Sequence, residues 1–203
     1  VSLQAFLLFR ALKLSIGLAW QITAIAAAYL VTDFINGLVH LYMDNNDNYE
    51  SAAGPLIANF HLHHKIPRYK NNNLITVYFT ETGSKVWLVP CLCAIVFLSY
   101  LPELSPVLLC TLAYTGILSS VAEVSHYLAH NSVSPAAALL ARAGLLLQKR
   151  RHARHHLEDN VSYSFLNGVT NPLVDLIARS YSAGYKTGTD LHYSKYITRN
   201  SAR

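Results

Sequence analysis

Histidine is the chemically distinctive residue of this 203-residue chain: there are ten, and their spacing sorts them into groups. His126 and His130 stand four apart at the end of an apolar run. Residues four apart share a helix face about 6 Å apart, so two imidazoles there can serve one metal ion or two neighbouring ones. His40 and Asp44 repeat that spacing at the end of the first apolar run. A carboxylate in that place either bridges metals or steadies an imidazole. His152, His155 and His156 read HxxHH, which on a helix again gives one face, and His63 and His64 add an adjacent pair. His61 and His192 join none of these groups and are read as solvated or outer partners, not ligands.

Each group alone has a plain explanation. An HxxxH pair at a helix end is commonly satisfied or solvated, and HxxHH in an Arg-rich stretch suits a phosphate. The combination points to metal. Zinc sites use three or four protein ligands, so eight histidines are too many for one, and the HExxH of zinc proteases is absent. Cys91, Cys93 and Cys110 lie in apolar runs without CxxC, read as small apolar fillers, which excludes a thiolate cluster. Haem needs isolated histidines facing each other across spans. A haem-binding membrane electron carrier is kept as the alternative of a different class, and an iron-free lipid-binding protein as a third. Two Fe ions with about four nitrogens each use the histidines best. Two redox metals at a membrane surface imply O2 activation against an unreactive C–H bond.

The elements that must position these residues are apolar. Charged residues make up 13% and hydrophobic ones 52% of the chain, against about 25% charged in a soluble domain. The expected fold is a single-domain, all-α integral membrane protein over residues 1–203, with three or four transmembrane helices and a histidine-rich cytoplasmic cap. Spans are expected at about 14–41, 86–101 and 107–129. Residues 2–13 form an interfacial helix or an extra span, and 131–203 form the cap. The apolar stretch 3–30 is too long for a signal peptide and is expected to stay in the mature protein. Residues 44–85 read as a polar loop with at most short helices, and 136–147 as a stretch lying along the membrane surface. Asp33 and Asn36 near the end of the first span are costly in lipid, so that face should turn toward protein. The formal charge is +5, concentrated in Lys65–Lys70 and Lys149–Arg154. Such clusters beside apolar spans mark the cytoplasmic side. They abut apolar segments and histidines instead of forming a separate polar domain, which argues against nucleic acid. All ten histidines fall on this side.

These motifs resemble the Kua/CarF family, which includes plasmanylethanolamine desaturase and plant plastidial acyl-lipid desaturases. The resemblance rests on Asp33-Phe34, Gly37-Leu38-Val39-His40 with Asp44, His63-His64 followed by Pro67, His126-Tyr-Leu-Ala-His130, His152-Ala-Arg-His155-His156 and Asn171-Pro172-Leu173. It covers about residues 22–175. It implies that His40, His63, His64, His126, His130, His152, His155 and His156 bind two irons. It further implies O2 as co-substrate, a plasmanyl ether phospholipid converted to the vinyl ether, and electrons from cytochrome b5, ferredoxin or a reductase. An acyl-lipid desaturase or hydroxylase is the near alternative. Three positions depart from the family: Arg151 and Asn160 stand where histidine is frequent, and Glu123 or a neighbour replaces a usual glutamine. Arg150, Arg151 and Arg154 are candidates for the lipid phosphate, or else a basic flank. The site should face the cytoplasm, at a bacterial inner membrane or the endoplasmic reticulum.

Overall fold

The computed structural model describes residues 2–66, 72–80 and 85–184, and every regular element among them is an α-helix. His192, the tail beyond residue 184 and most of the Lys65–Lys70 cluster lie outside the described residues. Two helices set the architecture. Helices α2 (Leu18–Asp44) and α6 (Pro106–Asn131) have 27 and 26 residues. At 1.5 Å per residue each is about 40 Å long, against about 30 Å for a bilayer's hydrocarbon core, and both are long and apolar enough to cross a membrane. They run parallel. Tyr114 Oη donates to Gln21 Oε1 at 2.6 Å near their starts, and the His40 and His126 rings lie 6.3 Å apart near their ends. Parallel packing brings both C-termini, and so both histidine pairs, to one end.

The shorter apolar helices flank this pair. Helix α1 (Ser2–Leu12) packs along α6: Gln4 Nε2 donates to Gly116 O and Ser120 Oγ at 2.9 and 3.0 Å, while Leu7 and Ala11 are buried with Leu109 and Cys110. It is thus a packed element with an amide satisfied by α6, although its 11 residues give only about 16 Å. Helices α4 (Leu74–Thr80) and α5 (Lys85–Leu98) follow α6 in the opposite sense. Tyr127 Oη donates to Asn72 O at 2.6 Å, and Leu92 abuts Gly116 farther along. The span expected at 86–101 is a 14-residue helix with Pro90 inside it, about 21 Å long and short of a bilayer core. Of the cysteines only Cys110 is buried; Cys91 and Cys93 are exposed along α5.

The polar stretch after α2 holds more order than its composition suggests. Helix α3 (Gly54–Lys65) has 12 residues with Pro55 in its first turn, where a missing N–H costs no helical hydrogen bond. The cap contains α7 (Pro135–Arg142), α8 (Lys149–Leu157) and α9 (Asn171–Tyr181). Between α8 and α9 an irregular segment is drawn into the space between α2 and α6. Asp33, fully buried, anchors it: its carboxylate accepts hydrogen bonds from the N–H groups of Asn167, Gly168 and Thr170 and from Thr170 Oγ1, at 2.7–3.0 Å. Asn36 Oδ1 accepts from Phe165 N at 3.1 Å. The polar face predicted at Asp33 and Asn36 therefore does turn toward protein. Gly37 permits the approach, because a Cβ there would collide with Ser164 Oγ and stand 3.1 Å from Val174.

The anchor has a measurable weight. Hydrogen bonds to charged groups contribute roughly 1.5–3 kcal/mol each, not additively, so Asp33→Ala should lower unfolding free energy by about 3 kcal/mol or more. Asp33→Asn keeps one acceptor oxygen and should cost distinctly less. Thermal unfolding in detergent orders the two variants; equal losses would mean the segment is held by something else.

Candidate metal centre

Nine of the ten histidines are in the described residues, and eight of them converge with Asp44. One group joins His63, His126, His130, His152 and His156; the other joins His40, Asp44, His64 and His155. Within each group the candidate ligand atoms lie within 4.8 Å of one another. The nine residues expected at the site are thus all brought together, divided five and four. Rings of different groups adjoin, with His64 and His156 centroids 5.0 Å apart and His155 and His156 5.5 Å apart.

Helix geometry explains the division. Adjacent helical residues point about 100° apart, so His63 goes to the first group and its neighbour His64 to the second, both from α3. On α8, His152 and His156 are one turn apart and share a group, whereas His155 faces the other. HxxHH therefore straddles two groups instead of presenting one face. His126 and His130 on α6 stay together, as do His40 and Asp44 on α2.

The five-histidine group cannot be satisfied by hydrogen bonding alone. The Nε2 atoms form a chain: His126 to His63 at 3.0 Å, His63 to His130 at 2.9 Å, His130 to His152 at 2.6 Å and His152 to His156 at 3.2 Å. Each neutral Nε2 has either one proton or one lone pair, so four contacts among five atoms yield at most two hydrogen bonds. A cation among them takes all five lone pairs. Imidazole ligands at about 2.0–2.1 Å from one ion and at right angles stand about 3 Å apart, as these do. In the second group, Asp44, fully buried, has His40 Nε2 at 3.4 Å, His155 Nε2 at 3.4 Å and His64 Nε2 at 3.5 Å. The donor set is three imidazoles and a carboxylate, again suited to a divalent transition metal. Asp44 sits as a ligand would, among the nitrogens.

Backbone carbonyls fix the rings. His40 Nδ1 donates to Tyr163 O at 2.8 Å, and His155 Nδ1 donates to Val161 O at 3.1 Å. A carbonyl only accepts, so each ring keeps its proton on Nδ1 and its lone pair on Nε2, toward the site. Both carbonyls belong to the segment that Asp33 anchors. Ser125 Oγ secures it on the other side by donating to Leu166 O at 2.6 Å.

His61 is buried and outside both groups. Its Nε2 donates to Met43 O and Asp44 O at 3.1 and 3.2 Å, and Tyr49 Oη donates to its Nδ1 at 2.6 Å. It holds the end of α2, and so the backbone of Asp44; of the two expectations for it, the outer partner holds and the solvated one does not. Asn160, with φ +54°, bonds Ser182 O and receives Tyr163 Oη, away from the ligand groups. Arg154 pairs with Glu158 at 2.8 Å on the surface, Arg151 donates to Gly168 O at 3.2 Å, and Arg150 is exposed. The carbonyls of Val161 and Tyr163 left no trace in the sequence, since every residue carries one. Tyr49 was equally silent.

Burial and crowding keep the rings neutral. The pKa values of His63, His64 and His152 are driven well below the ordinary 6.5, first by loss of solvent and then by neighbouring histidines. Neutral imidazole is the form that binds metal.

A cleft of about 770 Å³ lies beside this centre. Its walls include Ile35, Val39 and Tyr42 of α2, Leu88 and Cys91 of α5, Thr115, Ser119 and the buried Glu123 of α6. Phe60 and Phe165 line it and stand edge-on to His40 at 5.1 and 5.7 Å.

Comparison with known proteins gives one family: a model of the lipid desaturase domain matches residues 29–180. No curated protein and no solved structure matches. The matched range holds all nine ligand candidates and the Asp33-anchored segment, and omits α1.

Two ions per chain are expected by elemental analysis. His63→Ala and His64→Ala, one residue apart, should each lower occupancy at a different site, so that each retains about one ion and the double variant retains none. Acid should release metal as well. Groups whose pKa is lowered on folding destabilise the fold once pH falls below their unfolded value of about 6.5. The metal-free protein should therefore lose thermal stability from that pH downward, and a flat profile would contradict neutral, buried rings.

Proposed function

Because the chain belongs to the lipid desaturase domain family, we propose that it is an integral-membrane di-iron enzyme that uses O2 to desaturate a lipid chain. One observation carries the reading: two adjoining groups of imidazoles, one completed by Asp44, beside an apolar cleft. Bound there, two irons would supply reductive activation of O2 and removal of hydrogen from a C–H bond.

The protein's own residues do the rest. The five neutral imidazoles and the anionic three-imidazole group make the two positions unequal in charge, which favours different roles for the two ions. Val161 and Tyr163 hold His40 and His155 through their carbonyls, and His61 holds the backbone of Asp44. The apolar cleft walls present an alkyl chain beside the ligand rings and exclude water, which limits side reactions.

Membrane insertion is supported by where the apolar surface lies. Only 28% of the most apolar stretch of α2 and 39% of that of α6 is buried. Leu18, Trp20, Ile22, Leu30 and Ile35 of α2, with Val89 and Phe97 of α5, are exposed. A soluble protein does not leave so large a patch uncovered; lipid covers it. The basic residues after α6 support a centre at the cytoplasmic face, of a bacterial inner membrane or the endoplasmic reticulum. Electrons come from a separate donor, cytochrome b5, ferredoxin or a reductase.

The Kua/CarF motifs support a plasmanyl ether phospholipid, desaturated to the vinyl ether, as substrate. Arg150, and Arg151 and Arg154 if they exchange their present partners, would meet its phosphate. Expression in a host that makes plasmanyl lipids but lacks plasmalogens, followed by lipid analysis, tests the reading. Vinyl ethers are expected; new double bonds in acyl chains instead would identify an acyl-lipid desaturase. Substituting Ala at His126 or His155 should lower product at least a hundredfold and reduce iron content, and retained activity in either would sink the di-iron assignment. A haem Soret band in the purified protein would favour the electron-carrier alternative.

A further inference from the structure

Helix α7 folds back beside the last turn of α6 and leaves a hollow of about 420 Å³ beneath it. The hollow faces away from the ligand side of α6, since it is lined by Leu128, Ala129 and Ser132, not by His126 or His130. Its walls are small, with Ala137, Ala138 and Ala141 contributed by α7. Two cations, Arg142 and Lys149, stand at its boundary.

The surroundings are one-signed and apolar. From Asn131 to Leu157 the chain carries five Lys or Arg residues and no Asp or Glu. Outside the hollow's lining the same stretch exposes Leu139 (67%) and Leu145 (46%), and Val133 at its edge is 92% exposed. No residue of α7 is buried. An eight-residue helix with bare leucines and no buried face does not hold its place by packing on protein. It lies where α6 ends, at the depth where headgroups meet acyl chains.

We propose that the hollow under α7 binds one anionic phospholipid of the surrounding bilayer, distinct from the substrate. The chain of that lipid fills the alanine-walled space, and its phosphate meets Arg142 and Lys149. The cations supply the complementarity, the exposed leucines place the helix in the lipid, and the small side chains leave room. The lipid then wedges α7 against α6 behind His130. This site stands apart from the desaturase reading and needs only membrane insertion.

The test uses the purified full chain, reconstituted in vesicles of mixed phosphatidylglycerol and phosphatidylcholine and examined by native mass spectrometry. The parent chain should retain one phosphatidylglycerol, preferred over phosphatidylcholine by roughly thirtyfold, one basic-residue increment for each cation. Arg142→Gln with Lys149→Gln should erase the preference while metal content stays unchanged. Ala138→Trp should evict lipid of either kind. An undiminished preference in the double charge variant would overturn the proposal, even if Ala138→Trp fails to fold. Displacement of the retained lipid by millimolar inorganic phosphate would also overturn it, showing a site for free phosphate.

Discussion

Five imidazole nitrogens crowd into one space, and a cation among them would satisfy what hydrogen bonds among themselves do not. Each Nε2 offers a single proton or a single lone pair, so the four contacts from His126 through His63, His130 and His152 to His156 can hold at most two hydrogen bonds. Removing this tension by protonation is blocked, because burial and neighbouring histidines oppose charge on the rings. A metal ion is what this donor set could accommodate. Every other feature serves either to bring the rings together or to keep them turned the same way.

Bringing them together is the task of two parallel helices. Connected elements usually return antiparallel; here α4 and α5 make the return, so that α6 can run beside α2 in the same direction and deliver its C-terminal histidines to the same end. Keeping the rings turned is the task of the segment between α8 and α9. It enters between α2 and α6, where unsatisfied backbone would be costly, and Asp33, Asn36, Ser125 and Asn171 accept from or donate to it. In return its carbonyls at Val161 and Tyr163 orient one ligand from α8 and one from α2. A buried carboxylate about two turns before His40 on α2 is thereby linked to the direction of the imidazole lone pairs.

The charge pattern gives the two positions different characters. The carboxylate of Asp44 makes its group anionic, while the group of five is neutral. His61 and Tyr49 bear on the Asp44 group, through the end of α2. Phe60 and Phe165 of the cleft wall stand against His40, and Phe165 also lies 5.1 Å from His126, so the cleft borders both groups.

The sequence by itself determined which histidines, with Asp44, were candidates, and the helical, apolar character of the chain. Those follow from spacing: i and i+4 on a helix are neighbours whatever surrounds them, and long apolar runs have few alternatives. It also indicated that Asp33 and Asn36 face protein, because charge in such a run has to be compensated. Spacing could not assign ligands to groups, because His63 and His64, or His155 and His156, diverge by a helical turn angle whose targets lie on other helices. The helix over 54–65 was hidden by a polar composition that a Pro-initiated amphipathic stretch shares with a loop. The third span came out short, since hydropathy marks apolar residues and not where Pro90 and the turn after Leu98 interrupt a helix. The parallel course of α2 and α6, the inserted segment and the carbonyls that set the tautomers of His40 and His155 were decided only by tertiary structure. Most depend on contacts between residues far apart in the chain, such as His40 with Tyr163 and Asp33 with Asn167, made through backbone groups that every sequence carries alike.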